Sequence, residues 1–340
     1  TDVIAAEMGP IDALFLVPAF LEAGRITRDS VHYLVTGGVE VPVHETEFAR
    51  DSVFGYAHSY LPEYVAEKTG GRIPADKVER LVLSDIRAGV LERLMKLTDK
   101  QCVVVDAETQ DDLNRFSRDL LTAVSRGKRF LLRSAASVLT SLAGLPPQPV
   151  PAEDMARYVR SGTGAVIVGS HVQITTQQLE QLLTESTVAP VEVKVGYLLE
   201  SAEGHAVLLK EAVARACEAH SQGKTPVVFT PREEIAFEDT QTRLAFGEGV
   251  SALLMDIVRG LPGDIGFLIA KGGITSNDVL SKGLELASAR LLGQILPGVS
   301  MVRTGEEHPQ FPNLPVVLFP GNVGDADALR TVYRRLASRS

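Results

Sequence analysis

Short apolar runs that end in glycine and a small polar residue recur through this chain, and that recurrence restricts the fold more than any other feature. The clearest case is Gly266-Phe-Leu-Ile-Ala-Lys-Gly-Gly-Ile-Thr-Ser-Asn-Asp-Val-Leu280. Phe267 to Ala270 has the length and composition of a buried strand, Lys271 leads into Gly272-Gly273, and Val279, Leu280, Leu284 and Leu286 follow at helical spacing. Strand, glycine turn and helix in that order make one unit of an α/β fold. A glycine pair lets the backbone approach a ligand and take positive φ, while the free N–H groups of a starting helix favour an anion such as phosphate. In an ordinary α/β unit the same Thr275 or Ser276 only caps the helix. Val166-Ile-Val-Gly-Ser-His171 and Val316-Val-Leu-Phe-Pro-Gly-Asn-Val-Gly-Asp325 end in the same way. Placed at the carboxyl ends of neighbouring strands, the three turns would line one crevice, where open α/β sheets bind ligands.

The rest of the chain fits this pattern. A strand is expected at Ala13 to Val17, a loop at Pro18 to Thr27, and a hairpin from Val31–Val35 and Val39–Val43 around Thr36-Gly-Gly38. Three strand–helix units follow, beginning at Leu81, Cys102 and Phe130. Leu145-Pro-Pro-Gln-Pro-Val-Pro151 holds four prolines and reads as a stiff linker. Beyond it, strands are expected at 165–169, 191–195, 226–230, 266–270, 300–303 and 316–319, with helices at 177–183, 207–219, 244–258, 279–292 and 325–336. The expectation is an α/β protein of two domains, each a mainly parallel sheet flanked by helices, with a cleft between them. The boundaries are 1–145, a linker at 146–152, and 153–340. The opening Thr1 to Met8 reads as the middle of a helix, from which we expect that an upstream part is missing.

The formal net charge of −9 argues against nucleic acid or an anionic membrane as the main partner. No apolar run approaches spanning length and no signal-peptide pattern is seen at the start of this sequence, so a cytoplasmic location is expected. Cys102 and Cys217 sit in apolar patterns without metal-ligand spacing, and His44-Glu45 lacks the second histidine of a zinc helix, so no metal site is expected. Gly223-Lys-Thr225 is not a phosphate-binding P-loop, because the first glycine of that motif would fall at Glu218 and a strand follows. Gly169-Ser170-His171 lacks the hydrolase elbow. Asp106, at the end of its strand, is placed for catalysis or binding, or for capping the next helix.

Taken in order, Gly169-Ser170-His171, Gly272-Gly-Ile-Thr-Ser276, Leu296-Pro-Gly298 and Pro320-Gly-Asn-Val-Gly-Asp325 resemble the four-carbon acid sugar kinase family. Val17-Pro-Ala-Phe20 with Gly24-Arg25, Asp85-Ile-Arg-Ala-Gly89 and Val105-Asp-Ala-Glu-Thr109 look like its landmarks in the first half. The resemblance covers nearly the whole chain. It implies an ATP-dependent, Mg²⁺-assisted kinase for threonate, erythronate or 3-oxo-tetronate, with the sugar acid on the N-terminal domain and the nucleotide on the C-terminal one. Carried over, Ser170 with His171, Gly272, Gly273, Thr275 with Ser276, and Gly321, Asn322, Val323 and Gly324 would hold ATP. Ile274 stands where many members have an acid, and the family's opening Ala-Asp-Asp-Phe-Thr-Gly-like strand end is not present.

Phosphoryl transfer asks for positioning, charge stabilisation and a base. Arg25 is the candidate clamp for a carboxylate and Asp106 the candidate base within this chain. Two other readings stand beside the kinase: a non-catalytic nucleotide-binding or regulatory module, and an NAD(P)-dependent oxidoreductase, for which the GxGxxG turn is missing. The sequence leaves a homo-oligomer open.

Overall fold

The computed structural model describes residues 2–50, 55–145, 148–160, 163–233, 235, 237 and 239–337. Thr1, Pro146 and Pro147, which figure in the segments read above, lie outside the described residues. The chain is α/β and divides into two compact units, Thr1–Pro147 and Gln148–Ser340.

The first unit is built on four parallel strands, β1 (Ala13–Val17), β5 (Glu79–Leu81), β6 (Gln101–Val105) and β7 (Phe130–Ser134), in the order β5-β6-β1-β7. Side chains alternate across these strands. Phe15, Val17, Val103 and Val105 pack with Ile86, Leu94, Leu113, Phe116 and Val138 of the helices on one face, while Leu16, Cys102 and Val104 meet Leu61 and Val65 on the other. Burial on both faces explains why the runs are continuously apolar. The helix Gln110–Ser125 starts where Thr109 accepts from the Asp112 amide and the Asp112 carboxylate accepts from the Thr109 amide.

A separate antiparallel sheet holds β2 (Arg25–Arg28), β3 (Val31–Thr36) and β4 (Val39–Pro42). The hairpin was legible, but β2 falls where a loop was expected. Phe20 and Arg25 bridge antiparallel across the turn that Gly24 makes at φ 67°, and β2 then pairs with β3.

The second unit carries seven strands: β8 (Ala165–Val168), β9 (Val188–Glu192), β10 (Thr225–Phe229), β11 (Leu268–Lys271), β12 (Arg290–Leu296), β13 (Val299–Arg303) and β14 (Pro315–Phe319). Their order is β12-β13-β14-β11-β8-β10-β9. The block β14-β11-β8-β10-β9 is parallel, and β12 and β13 extend it antiparallel. Close packing is set partly by Gly164, where a Cβ would lie 2.3 Å from the Phe267 ring.

One helix expectation fails here. The helix after the glycine pair begins at Gly273, passes into a π-helical turn over Val279–Gly283 and ends, while 290–296 is strand rather than helix. Leu291, Leu292, Ile295 and Leu296 carry a helix-like spacing, but Gly293 sits at φ 140° and β12 shifts register twice against β13. The Gln148 side chain accepts from the Gln294 amide at 2.6 Å and donates to its carbonyl at 3.0 Å, so a side chain occupies the edge position of a missing strand.

Candidate functional site

The strands that end in the three glycine turns are neighbours: β14 pairs β11, and β11 pairs β8, all parallel. Their turns therefore lie side by side at the carboxyl end of the sheet. The ladder continues into them, with Gly272 N donating to Phe319 O at 2.8 Å and Gly169 N to Lys271 O at 3.2 Å. Gly272 takes φ 123°, ψ 143°, which only glycine adopts at low cost. A Cβ there would sit 3.0 Å from Thr275 Oγ1 and 3.1 Å from Ser170 Cβ. At Gly169 it would meet Thr275 Oγ1 at 2.3 Å, and at Gly321 it would meet Ser170 Oγ at 2.8 Å. Ser170 and Thr275 thus touch the turns of neighbouring strands. Gly273 differs, with nothing within 4 Å of its would-be Cβ.

Buried side chains hold the third turn from inside. Lys271 Nζ donates to Pro320 O at 2.6 Å and Gly321 O at 3.1 Å. Thr175 Oγ1 donates to Gly321 O at 2.9 Å and lies 3.2 Å from Ser170 Oγ. Gln178 Nε2 reaches Val323 O at 3.0 Å and Asp325 O at 2.8 Å. Lys271, Thr175 and Gln178 are each fully buried. In a planar trans peptide the carbonyl and the next N–H point in opposite directions. Carbonyls drawn inward at Pro320, Gly321, Val323 and Asp325 therefore turn the N–H groups of Gly321, Asn322, Gly324 and Ala326 away from the core. Successive outward amides form a concavity suited to an anion.

The charge around the turns has the same sign. Lys271 Nζ also sits 4.2 Å from the centroid of the Phe319 ring. The ring face and the two carbonyls favour the ammonium, yet burial prevails and pushes the lysine down to about 7. Arg232, just beyond β10, donates through Nη2 to Ser170 O and through Nε to Thr176 Oγ1 at 3.1 Å, and burial lowers its pKa. Neither cation has a carboxylate within 4.0 Å among the described residues. The nearest acid in sequence to the glycine pair, Asp278, is bound by Ser251 Oγ and by Lys282 at 3.2 Å.

The fold thus brings together Ser170, Gly272, Gly273, Thr275, Gly321, Asn322 and Gly324. His171 stands beside them with Nε2 3.3 Å from Thr230 Oγ1. Ser276 and Val323 belong to the same turns with their side chains turned inward: Ser276 Oγ donates to Ala270 O at 2.9 Å, and Val323 is buried. Ile274 is 78% exposed. Lys271, Gln178 and Arg232 were not anticipated; a lysine closing a strand immediately before a glycine pair was the one signal available.

The two candidates in the first unit belong to different sheets of that unit. Arg25 opens β2, half-buried, and burial lowers its pKa. Asp106 follows β6 and is fully buried. Its Oδ1 accepts from Ser30 N at 2.9 Å, holding the turn where Asp29 and Ser30 both have positive φ, while Oδ2 is buried without a hydrogen-bond partner. Burial raises its pKa to about 6.

Two family models match the chain. Residues 1–142 match a sugar-binding N-terminal domain, and residues 165–329 match a nucleotide-binding C-terminal domain. This chain belongs to the four-carbon acid sugar kinase family. The three turns fall within the nucleotide-binding domain of this sugar kinase family member, and Arg25 and Asp106 within its sugar-binding domain. The fold is shared with a Salmonella typhimurium LT2 protein provisionally described as a tRNA synthase, at 20% identity and TM-score 0.66 over 99% of this chain and 76% of that one. A Haemophilus influenzae protein from a domain family of unknown function matches at 18% identity and TM-score 0.53, over 98% and 76%. A search of curated proteins found no match. Among the described residues no helix is long and apolar enough to cross a membrane.

Proposed function

We propose that this family member is an ATP-dependent kinase that phosphorylates a hydroxyl of a four-carbon sugar acid of the threonate, erythronate or 3-oxo-tetronate type. The observation that carries the reading is the loop at 320–325, whose carbonyls are held inward by Lys271, Thr175 and Gln178 beside the Gly272-Gly273 turn. Outward amides with the buried Lys271 and the half-buried Arg232 nearby suit a di- or triphosphate. In this reading Ser170, His171, Gly272, Gly273, Thr275, Ser276 and Gly321 to Gly324 form the nucleotide site, Ser276 and Val323 through their backbone. Among the described residues no group of three His, Cys, Asp or Glu side chains could hold a metal ion. A Mg²⁺ ion arriving with the nucleotide would neutralise charge that develops in the transfer. Arg25 is the proposed partner of the sugar-acid carboxylate.

The test is Mg-ADP binding by calorimetry to the chain and to Gly273→Val. A Cβ at Gly273 would have nothing within 4 Å, so the fold should hold while the added branches occupy the ligand's place. Binding by the parent and none by the variant supports the site. No Mg-ADP binding by the folded parent would sink the reading. Coupled assays of ATP with each tetronate then choose the substrate, and binding without turnover on any of them would favour the non-catalytic module.

A further inference from the structure

Arg232 is fixed, charged and incompletely used. It follows β10, the parallel neighbour of β8 on the side away from β11. Two of its nitrogens are committed to the Ser170 carbonyl and the Thr176 hydroxyl, which lock the plane of the guanidinium against the turn that carries Ser170. The third, Nη1, is buried and has no hydrogen-bond partner. No described carboxylate pairs with the group, and burial is the single cause of its lowered pKa. An unpaired donor on a half-buried cation is costly unless a ligand completes it. A guanidinium fork presents N–H groups in a plane that matches phosphate oxygens, and a buried arginine is selected by an anion that stays bound there. The neighbours agree: Ser170 Oγ faces the Gly321 turn, where the outward amides begin.

Resting on the nucleotide reading above, we propose that Arg232 is a phosphate-binding residue of this site, its Nη1 donating to a phosphate oxygen of the bound nucleotide from the Ser170 side, opposite the amides of the 320–325 loop. It supplies the positive charge that the glycine turns, being backbone alone, do not.

The experiment is calorimetric titration of the full chain and of Arg232→Gln with Mg-ADP, adenosine and inorganic pyrophosphate, with melting curves alongside. Loss of a charge-assisted contact should weaken Mg-ADP and pyrophosphate about tenfold or more and leave adenosine within about twofold. An unchanged Mg-ADP affinity overturns the proposal. So does an equal loss for adenosine, because then the side chain only shapes the Ser170 turn. Should the glutamine variant fail to fold, Arg232→Lys decides: charge without the fork should weaken Mg-ADP several-fold and spare adenosine, and unchanged Mg-ADP affinity overturns the proposal. A parent that binds pyrophosphate but not Mg-ADP would end the nucleotide reading yet uphold Arg232, provided Arg232→Gln abolishes that binding. A parent that binds neither ends both.

Discussion

Lys271→Met tests whether the amine beneath the glycine turns is the desolvated group that the structure describes. The side chain is fully buried, and burial moves the ammonium from 10.5 down to about 7. The folded state therefore releases a proton that the unfolded chain keeps up to pH 10.5. Between those values the unfolded state binds more protons, so stability rises with pH; below 7 both states are charged and the full burial penalty is present. Each unit in which the folded protein is deprotonated is worth about 1.4 kcal/mol. Integrated from pH 7, where the lysine is half-protonated, to pH 9, the gain is about 2 kcal/mol. Methionine has similar volume and no charge, so it lacks this dependence. It also leaves the Pro320 carbonyl without its donor, while Gly321 O keeps Thr175, which adds a pH-independent cost of about 1–3 kcal/mol. The net sign at one pH is thus set by two opposed terms, but the pH dependence of the difference is not. Denaturant unfolding of both proteins at pH 7, 8 and 9 should show the parent gaining about 2 kcal/mol on the variant across the range. Other titrating groups cancel in the difference. A difference that stays flat would mean that the ammonium remains charged throughout, held by the carbonyls and the Phe319 face.

Three further outcomes follow from the same geometry. Gly272→Ala forces φ 123° on a residue with a Cβ 3.0 Å from Thr275 Oγ1, so it should cost about 1–3 kcal/mol in denaturant unfolding and weaken Mg-ADP; parent-like stability would refute the strain. Gly164→Ala drives a Cβ to within 2.3 Å of the buried Phe267 ring and should cost about 1–3 kcal/mol while leaving the Mg-ADP affinity of the folded fraction unchanged, which melts and calorimetry would separate. Asp106, raised from 3.8 to about 6, holds its proton longer in the folded state, so the parent should lose up to about 3 kcal/mol against Asp106→Asn as pH rises from 4 to 7. Its full burial under the Ser30 turn predicts that the asparagine variant keeps turnover within about tenfold; a loss of a hundredfold with the fold intact would instead make it the base.

What could be read ahead was whatever depends on local pattern. Fully apolar runs such as Ala165–Val168 and Pro315–Phe319 announce strands buried on both faces, and the glycines that end them announce turns. Arg290–Leu296 misled because its leucines and isoleucine fall at helical spacing, whereas its conformation is decided by pairing with Val299–Arg303 and by the side chain of Gln148, far away in sequence. The site divides in the same way. Gly272, Gly273 and Gly321 carry a local signature. Lys271, Gln178 and Arg232 act on carbonyls 49, 145 and 62 residues away in sequence, and no spacing rule reports that. The sheet makes these meetings, by placing β14, β11, β8 and β10 edge to edge.

That division has a physical reason. Backbone amides can bind an anion only if their carbonyls are satisfied elsewhere, because each peptide plane fixes both directions at once. The loop at 320–325 therefore needs donors on its inner side, where apolar packing would otherwise be cheapest. A serine or threonine reaches one carbonyl, as Thr175 does at Gly321; spanning Pro320 and Gly321 from beneath takes a longer side chain with several N–H groups, and Lys271 has that reach. The charge it brings into the core is destabilising by itself, but it adds to the field that the outward amides present, and Arg232 adds to it from beyond β10, on the far side of β8. A neutral donor such as glutamine at 271 could satisfy the same carbonyls without the cost of burying a charge, and it would remove the positive charge that the ammonium lends the anion site. Lys271→Gln is therefore the variant in which stability and phosphate affinity should move in opposite directions, upward in unfolding free energy at pH 7 and downward in Mg-ADP affinity, and movement of both in one direction would show that the lysine serves the fold alone.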